Sequence, residues 1–439
     1  MAEHSSSAKL IRAVGFWGLV AFTINAVIGS GVYLLPSETF RLLGPFSLWA
    51  PLLFSIPVFI LVLCFAEAAS HFDKPGGAYV YSRAAFGDFI GFETGWMNTL
   101  ARLTSLAALS NGLVLSIARL APGAAEGVMR TWIIVGTLLF FGVIHALGIR
   151  FGAGTIYGLT LGKLIPLVIF IAVAVAVFHF NPLPASVKLP PIHETQWSEA
   201  ALLLLFAYAG FENVAVPAGE FRNPKRDLPF ALLLGIVGIA LVYSLAQLGA
   251  MASLQSLDTS TPIADAAAVV LGKFGAVLIT VGAIISIAGT NVGTVLESSR
   301  MVYALSADRK PYKLLAWVHP TFHTPVVAIA LIIAAAIPMA LMGSFVQLAA
   351  LSAVARMTTY LFTAASLPRL KKGGSFFLGN WAWVVAILGT LISLLLFFTL
   401  EEKHFVPAIL ALLTGAVLWV GSRIFGKIDV EAEEASAET

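Results

Sequence analysis

Charge is what this chain has least of: Asp, Glu, Lys and Arg together make up 11% of its 439 residues, against 59% hydrophobic ones, and its mean hydropathy is +0.92. Soluble globular domains carry roughly a quarter charged residues, so that class is excluded. The single cysteine, Cys64, sits inside an apolar run, which rules out an intrachain disulfide and a cysteine metal cluster. No GxxxxGK(S/T) loop occurs, and no polar segment is long enough to form a nucleotide-binding domain, which argues against ATP hydrolysis. HExxH, paired intramembrane Asp and Ser/His constellations are also missing, and His145 and His179 stand apart, so no enzyme is expected. No basic patch interleaved with aromatics points to nucleic acid. The N-terminal stretch has no short apolar region followed by a small-residue cleavage site, so the first apolar run reads as a retained helix.

What is present is a series of long apolar runs. A hydrocarbon core about 30 Å thick needs about 20 apolar residues per helix. About twelve such runs can be read: 13–37, 45–70, 88–118, 130–149, 155–179, 197–218, 229–252, 267–303, 325–342, 345–367, 381–400 and 405–424. They are continuously apolar, unlike the alternating strands of a β-barrel, so the expected class is an all-α polytopic membrane protein. One membrane domain spans 1–439, and the residues after 424 (425–439) read as a disordered tail. Basic residues collect in cytoplasmic loops. With the N-terminus inside, seventeen of the 26 Lys and Arg fall on inner segments, six outside and three (Arg102, Lys163, Arg356) within spans. Both termini are therefore expected on the cytoplasmic side of a cell membrane, with the lipid bilayer as the chain's solvent.

The first run carries Ile28-Gly-Ser-Gly31, and a second interruption, FAYAGFENVAVPAGE, lies at 206–220. Backbone released from a helix cannot face lipid, where each unpaired N–H or C=O costs several kcal/mol. Small residues also serve close helix packing, so Ile28–Gly31 alone is open to both readings. A pair of interrupted spans half a chain apart points to a solute site at mid-membrane, as in secondary transporters. Lys163, in GLTLGKLIPLVIF, is an ammonium in mid-span that costs at least a few kcal/mol to insert. Burial disfavours its charge and hydrogen-bond acceptors favour it, so a site alternately open and closed to water could load and release a proton there. A permanently charged structural lysine is the alternative.

Four stretches carry a family resemblance: GSGVYLLP, AEAASHFDKPGGAYVYSRAAFGDFIGFETGW, FAYAGFENVAVPAGEFRNPKRDLPFAL and ESSRMVYALSADRKP. In this order and spacing the chain resembles the amino acid-polyamine-organocation (APC) superfamily and its amino acid permeases. The resemblance implies a LeuT-like fold of two inverted five-helix repeats, 13–180 and 197–367, with helices 1 and 6 broken and two further helices at 381–424. It implies an amino acid substrate bound between the breaks, with N–H groups of Gly29, Ser30 and Gly31 on its carboxylate and carbonyls of Val27, Phe206 and Ala209 on its ammonium. Phe206 matches the family's aromatic gate, and Phe211 is a further candidate contact. By the same resemblance Lys163 takes the place of a sodium ion, with carbonyls of the first break and Thr290 or Ser286 as neighbours. Glu212 either senses protons or braces the second break. Asn25, Asn291 and Thr294 are candidate pocket residues or interhelical glue.

Arg102 and Arg356 are expected in structural ion pairs, and Glu297 with Arg300 in a gate with Arg226 or Asp227, or in a solvated pair. The function so implied is secondary active amino acid transport, as proton-coupled symport of a neutral or apolar amino acid. Exchange, a cationic amino acid or polyamine carrier, and a transporter-like amino acid sensor are the alternatives. No cofactor is expected, with the proton as coupling ion. Nothing in the sequence speaks to an accessory subunit or an oligomer.

Overall fold

The computed structural model describes residues 15–72, 77–148, 153–178, 196–214, 222–254, 258–307, 309–370 and 377–437. Among them every regular element is helical. In chain order these are α1 (Phe16–Val27), α2 (Gly31–Leu43), α3 (Ala50–Ser70), α4 (Ala78–Phe86), α5 (Asp88–Ala118), α6 (Gly127–Ala146) and α7 (Ala153–Phe178). There follow α8 (Trp197–Tyr208), α9 (Phe211–Val214), α10 (Pro224–Ser253), α11 (Pro262–Ala307), α12 (Val326–Met342), α13 (Phe345–Leu370), α14 (Ala382–Phe398) and α15 (Glu402–Ala437).

Nine of the described helices are long and apolar enough to cross a membrane, and α1 with α2, bent by 47° across a short break, makes a tenth. The 17-residue α12 and the broken pair α8–α9 account for the other two apolar runs of the sequence. Large apolar side chains stay exposed along the outer helices, among them Phe140, Leu395, Leu413 and Val417, as a lipid-facing surface requires. The chain is an all-α polytopic membrane protein, consistent with the LeuT-like architecture.

Two sets of helices meet at the centre. The α1–α2 pair, α3, α8 and α10 pack on one another, while α5 packs along α11, α12 and α13. The described helices depart from the expected runs: α4 lies between the runs expected at 45–70 and 88–118, and two others differ in extent. The run expected at 267–303 belongs to a longer element that starts at Pro262 and turns sharply at Gly272. The final helix continues to Ala437, where a disordered tail was expected, because EAEEASA is built mainly of Ala and Glu, strong helix formers. Residues 215–221, part of the second interruption, lie outside the described residues, as does most of the 181–197 connection.

Cys64 on α3 is fully buried, its Sγ 3.4 Å from the Val385 carbonyl, and it packs against Gly389 of α14. A maleimide is expected to leave the native protein unlabelled and to add one equivalent after unfolding in SDS. Rapid labelling of native protein would contradict the α3–α14 packing.

Candidate binding site

The first break follows from a conflict between local sequence and helix continuity. Ile28 turns extended (ψ 99°) and ends α1, and α2 restarts at Gly31. The second break runs through Ala209, with extended backbone, and Gly210 at φ +122°, a conformation an L side chain rarely adopts. A Cβ on Gly210 would also lie 2.3 Å from the Ala26 carbonyl oxygen, and one on Gly31 would lie 2.9 Å from the Ala207 Cα. Each break thus rests against the other, and at both contacts only glycine fits.

The freed backbone groups of the first break divide by sign. Its carbonyls are occupied. The Lys163 ammonium donates to the carbonyls of Asn25 and Ile28, both at 2.8 Å, and to Thr290 Oγ1 at 3.1 Å. The Ser286 hydroxyl lies 3.1 Å from the Ile28 carbonyl and 2.9 Å from that of Gly29. Tyr243 Oη reaches the carbonyls of Ala207 at 2.9 Å and Val27 at 3.3 Å, tying the two breaks together. The N–H groups of Gly29, Ser30 and Gly31, by contrast, meet no acceptor among the described residues, and the buried Ser30 hydroxyl has no partner either. A helix N-terminus with unpaired N–H groups is a ready site for an anion.

Beside these groups lies a cavity with about 650 Å³ of empty space, part of it open. The structure brings Asn25, Val27, Gly29, Ser30, Gly31, Phe206, Ala209 and Thr294 together on its wall. The Oδ1 atom of Asn25 is buried without a partner. Phe206 packs edge-on against Phe345, with ring centroids 6.0 Å apart.

Three expected contacts do not reach the cavity. Phe211 is buried in an aromatic cluster with Phe65 and Tyr360, since the short α9 turns its ring towards α3 and α13. Asn291 is fully buried on α11, away from the cavity wall, with neither side-chain polar atom partnered. Glu212 is also buried off the wall. One of its carboxylate oxygens accepts from the Gly210 N–H at 2.9 Å and from Tyr360 Oη at 3.2 Å, and the other pairs with Arg356. That is the geometry of a brace. Lys163 likewise lies behind the first break and not on the cavity wall, with no solvent exposure.

The charged residues of the spans pair across the centre. Arg102 binds Asn98 at 2.6 Å, Asn213, and Glu297 at 3.3 Å. Glu297 therefore meets Arg102 on α5, and not Arg226 or Asp227, because α11 lies directly along α5. Reasoning from sequence missed Tyr243, and it missed that Arg356 and Ser105 line the cavity. Tyr243 lay within an apolar run, where a buried hydroxyl must find a partner, and that was the available signal.

Two interrupted helices meeting beside a cavity, with a buried ammonium filling the carbonyls of the first break, define a solute carrier of the broken-helix kind. The family model described as amino acid permease matches residues 14–421, and the chain belongs to that family, whose members are transporters. It is 30% identical over 354 residues to the serine/threonine exchanger SteT of Bacillus subtilis, covering 78% of this chain and 79% of that one. It is 24% identical over 449 residues to the branched-chain amino acid permease BcaP of the same species, covering 92% and 96%. It is also 27% identical over 378 residues to cationic amino acid transporter 5 of Arabidopsis thaliana, covering 82% of this chain and 65% of that one.

Removing one partner of a buried ion pair leaves an uncompensated charge, which costs about 3–5 kcal/mol. Arg356→Ala is therefore expected to lower the thermal unfolding temperature of the purified protein markedly. The double variant Arg356→Met with Glu212→Gln is expected to recover much of the loss. Equal stability of Arg356→Ala and wild type would show that the pair does not brace the second break.

Proposed function

We propose that the protein is a secondary active carrier of amino acids that moves its substrate with a proton by alternating access, in a cell membrane with both termini cytoplasmic. The observation that carries this reading is the asymmetry of the first break: its carbonyls are filled by Lys163 and Ser286 while the N–H groups of Gly29, Ser30 and Gly31 stand open beside a cavity. A zwitterion's carboxylate fits those donors, and the Ser30 hydroxyl adds a further one. Its ammonium fits the second lone pair of the Val27 carbonyl and the carbonyl of Ala209, whose backbone runs extended into the second break.

Lys163 is the coupling residue in this reading. Its ammonium sits where a bound cation would hold the break together, so loss of its proton would release the carbonyls of Asn25 and Ile28 and loosen α1 against α7 and α11. Phe206, on the cavity wall and packed against Phe345, acts as the gate. The cavity extends from the breaks towards Phe22 on α1 and Glu297 on α11.

The substrate carries no positive side chain. Among the described residues, the two carboxylates near the cavity are already paired, Glu212 with Arg356 and Glu297 with Arg102, so neither is free to receive a cation. This disfavours a cationic amino acid or polyamine and leaves neutral substrates, as first expected, or anionic ones. Exchange without net proton movement is the second reading, favoured by the similarity to an exchanger.

The test uses proteoliposomes without internal substrate, a mixture of the twenty radiolabelled L-amino acids outside and an imposed pH gradient, acidic outside. Uptake above the level seen without a gradient is expected for the wild type, and no such rise for Lys163→Gln. Lys163→Gln is expected still to exchange internal for external label, which shows that it folds. Gradient-driven accumulation by Lys163→Gln would end the coupling role, and wild-type uptake only with internal substrate would establish exchange instead.

A further inference from the structure

The cavity wall has two chemically different halves. One is formed by the breaks, where main-chain groups dominate. The other is formed by α5, α11 and α13 and carries Ser105, Thr290, Thr294, Glu297 and Arg356. An amino acid held at the breaks by its carboxylate and ammonium has this second half open to its side chain.

That half is polar and not lined for an aliphatic chain. Among the described residues Leu109 is its one large apolar side chain. Arg356 presents a buried guanidinium there, and its hydrogen bonds are incomplete. Nε donates to Ser352 Oγ at 3.3 Å, one Nη to Ser105 Oγ at 2.8 Å, and the other to Glu212. Guanidinium has five N–H groups, so two remain without an acceptor among the described residues.

The charges around the cavity also fail to cancel. With Lys163 protonated, the form its three acceptors Asn25, Ile28 and Thr290 favour, the described residues that line the cavity or pair with its lining include three cations, Lys163, Arg102 and Arg356, and two anions, Glu212 and Glu297. One positive charge is in excess, in surroundings where Lys163 is 0%, Arg102 2% and Arg356 5% exposed. A zwitterionic substrate adds no net charge and leaves the excess in place. An uncompensated buried charge is expensive, and a substrate with one net negative charge removes it.

Resting on the reading of the breaks as the amino acid site, we propose that this site selects an amino acid whose side chain is itself a carboxylate. Arg356 is its specificity-determining residue, donating through its two open N–H groups, with Ser105 bonded to it and Thr294 on the same half of the wall. Charge-assisted pairing of guanidinium with carboxylate is stronger than a hydrogen bond between neutral groups, and its geometry discriminates against neutral side chains.

The experiment is calorimetric titration of the purified wild-type protein with L-aspartate, L-glutamate, L-serine, L-leucine and L-lysine. One of the two acidic amino acids is expected to bind at least about tenfold more tightly than serine or leucine, with lysine weakest. In the double variant Arg356→Gln with Glu212→Gln, which removes the pair without orphaning a charge, the ratio of acidic to neutral affinity is expected to collapse. Tighter binding of serine or leucine than of either acid overturns the inference while leaving the breaks as the site. Absence of binding by all five overturns it together with the reading beneath it. The wild-type ranking decides the matter if the double variant does not fold.

Discussion

Backbone that leaves a helix inside a membrane must find hydrogen bonds, and the first break of this chain finds them for its acceptors only. Lys163 reaches it from α7, Ser286 from α11 and Tyr243 from α10, so three helices converge on the four carbonyls of Asn25, Val27, Ile28 and Gly29. A cation is the economical filler, because one ammonium supplies three donors and no acceptor. The same choice leaves the N–H groups of Gly29 to Gly31 without acceptors among the described residues, and in the proposed reading a substrate carboxylate completes the set. The site and the stability of the fold are in this sense one hydrogen-bond network, left open on the side of the cavity.

The second break is completed differently. Gly210 turns the chain through a left-handed conformation against Ala26, and Glu212 holds the Gly210 N–H while Arg356 and Tyr360 hold Glu212. Burying an ion pair stabilises little by itself, because desolvation offsets the attraction. Its use here is positional: α13 fixes α9, α9 fixes Gly210, and Gly210 meets the end of α1. Any motion that parts the helix set of α1, α3, α8 and α10 from that of α5 and α13 must therefore disturb both breaks together.

Much of this was legible from residue order. Apolar run length gave the spans, and the glycines of Ile28–Gly31 marked a break that a packing motif alone would not have required. Lys163 was placed beside the first-break carbonyls with Thr290 or Ser286 as a neighbour; its ammonium bonds the Asn25 and Ile28 carbonyls and Thr290, while Ser286 shares the Ile28 carbonyl. What could not be read was set by contacts between distant residues. Glu212 and Arg356 are 144 positions apart, so nothing local says that the carboxylate is spent on an arginine and a backbone N–H. Helical rotation decided the rest: Phe211 and Asn291 sit in polar or aromatic neighbourhoods of the sequence, yet their faces turn into the core. Glu297 was paired by spacing with Arg300, whereas the helix beside it supplied Arg102.

The account rests on main-chain groups gripping both ends of a zwitterion. Its most direct measurement is competition: for the amino acid that binds the purified protein most tightly, displacement by the parent, by its α-methyl ester and by the amine lacking the α-carboxylate. The account predicts that the parent displaces label and that neither analogue does at comparable concentration. Displacement by the methyl ester or the amine as effective as by the parent would mean that the open N–H groups of the first break do not hold the carboxylate, and would contradict it.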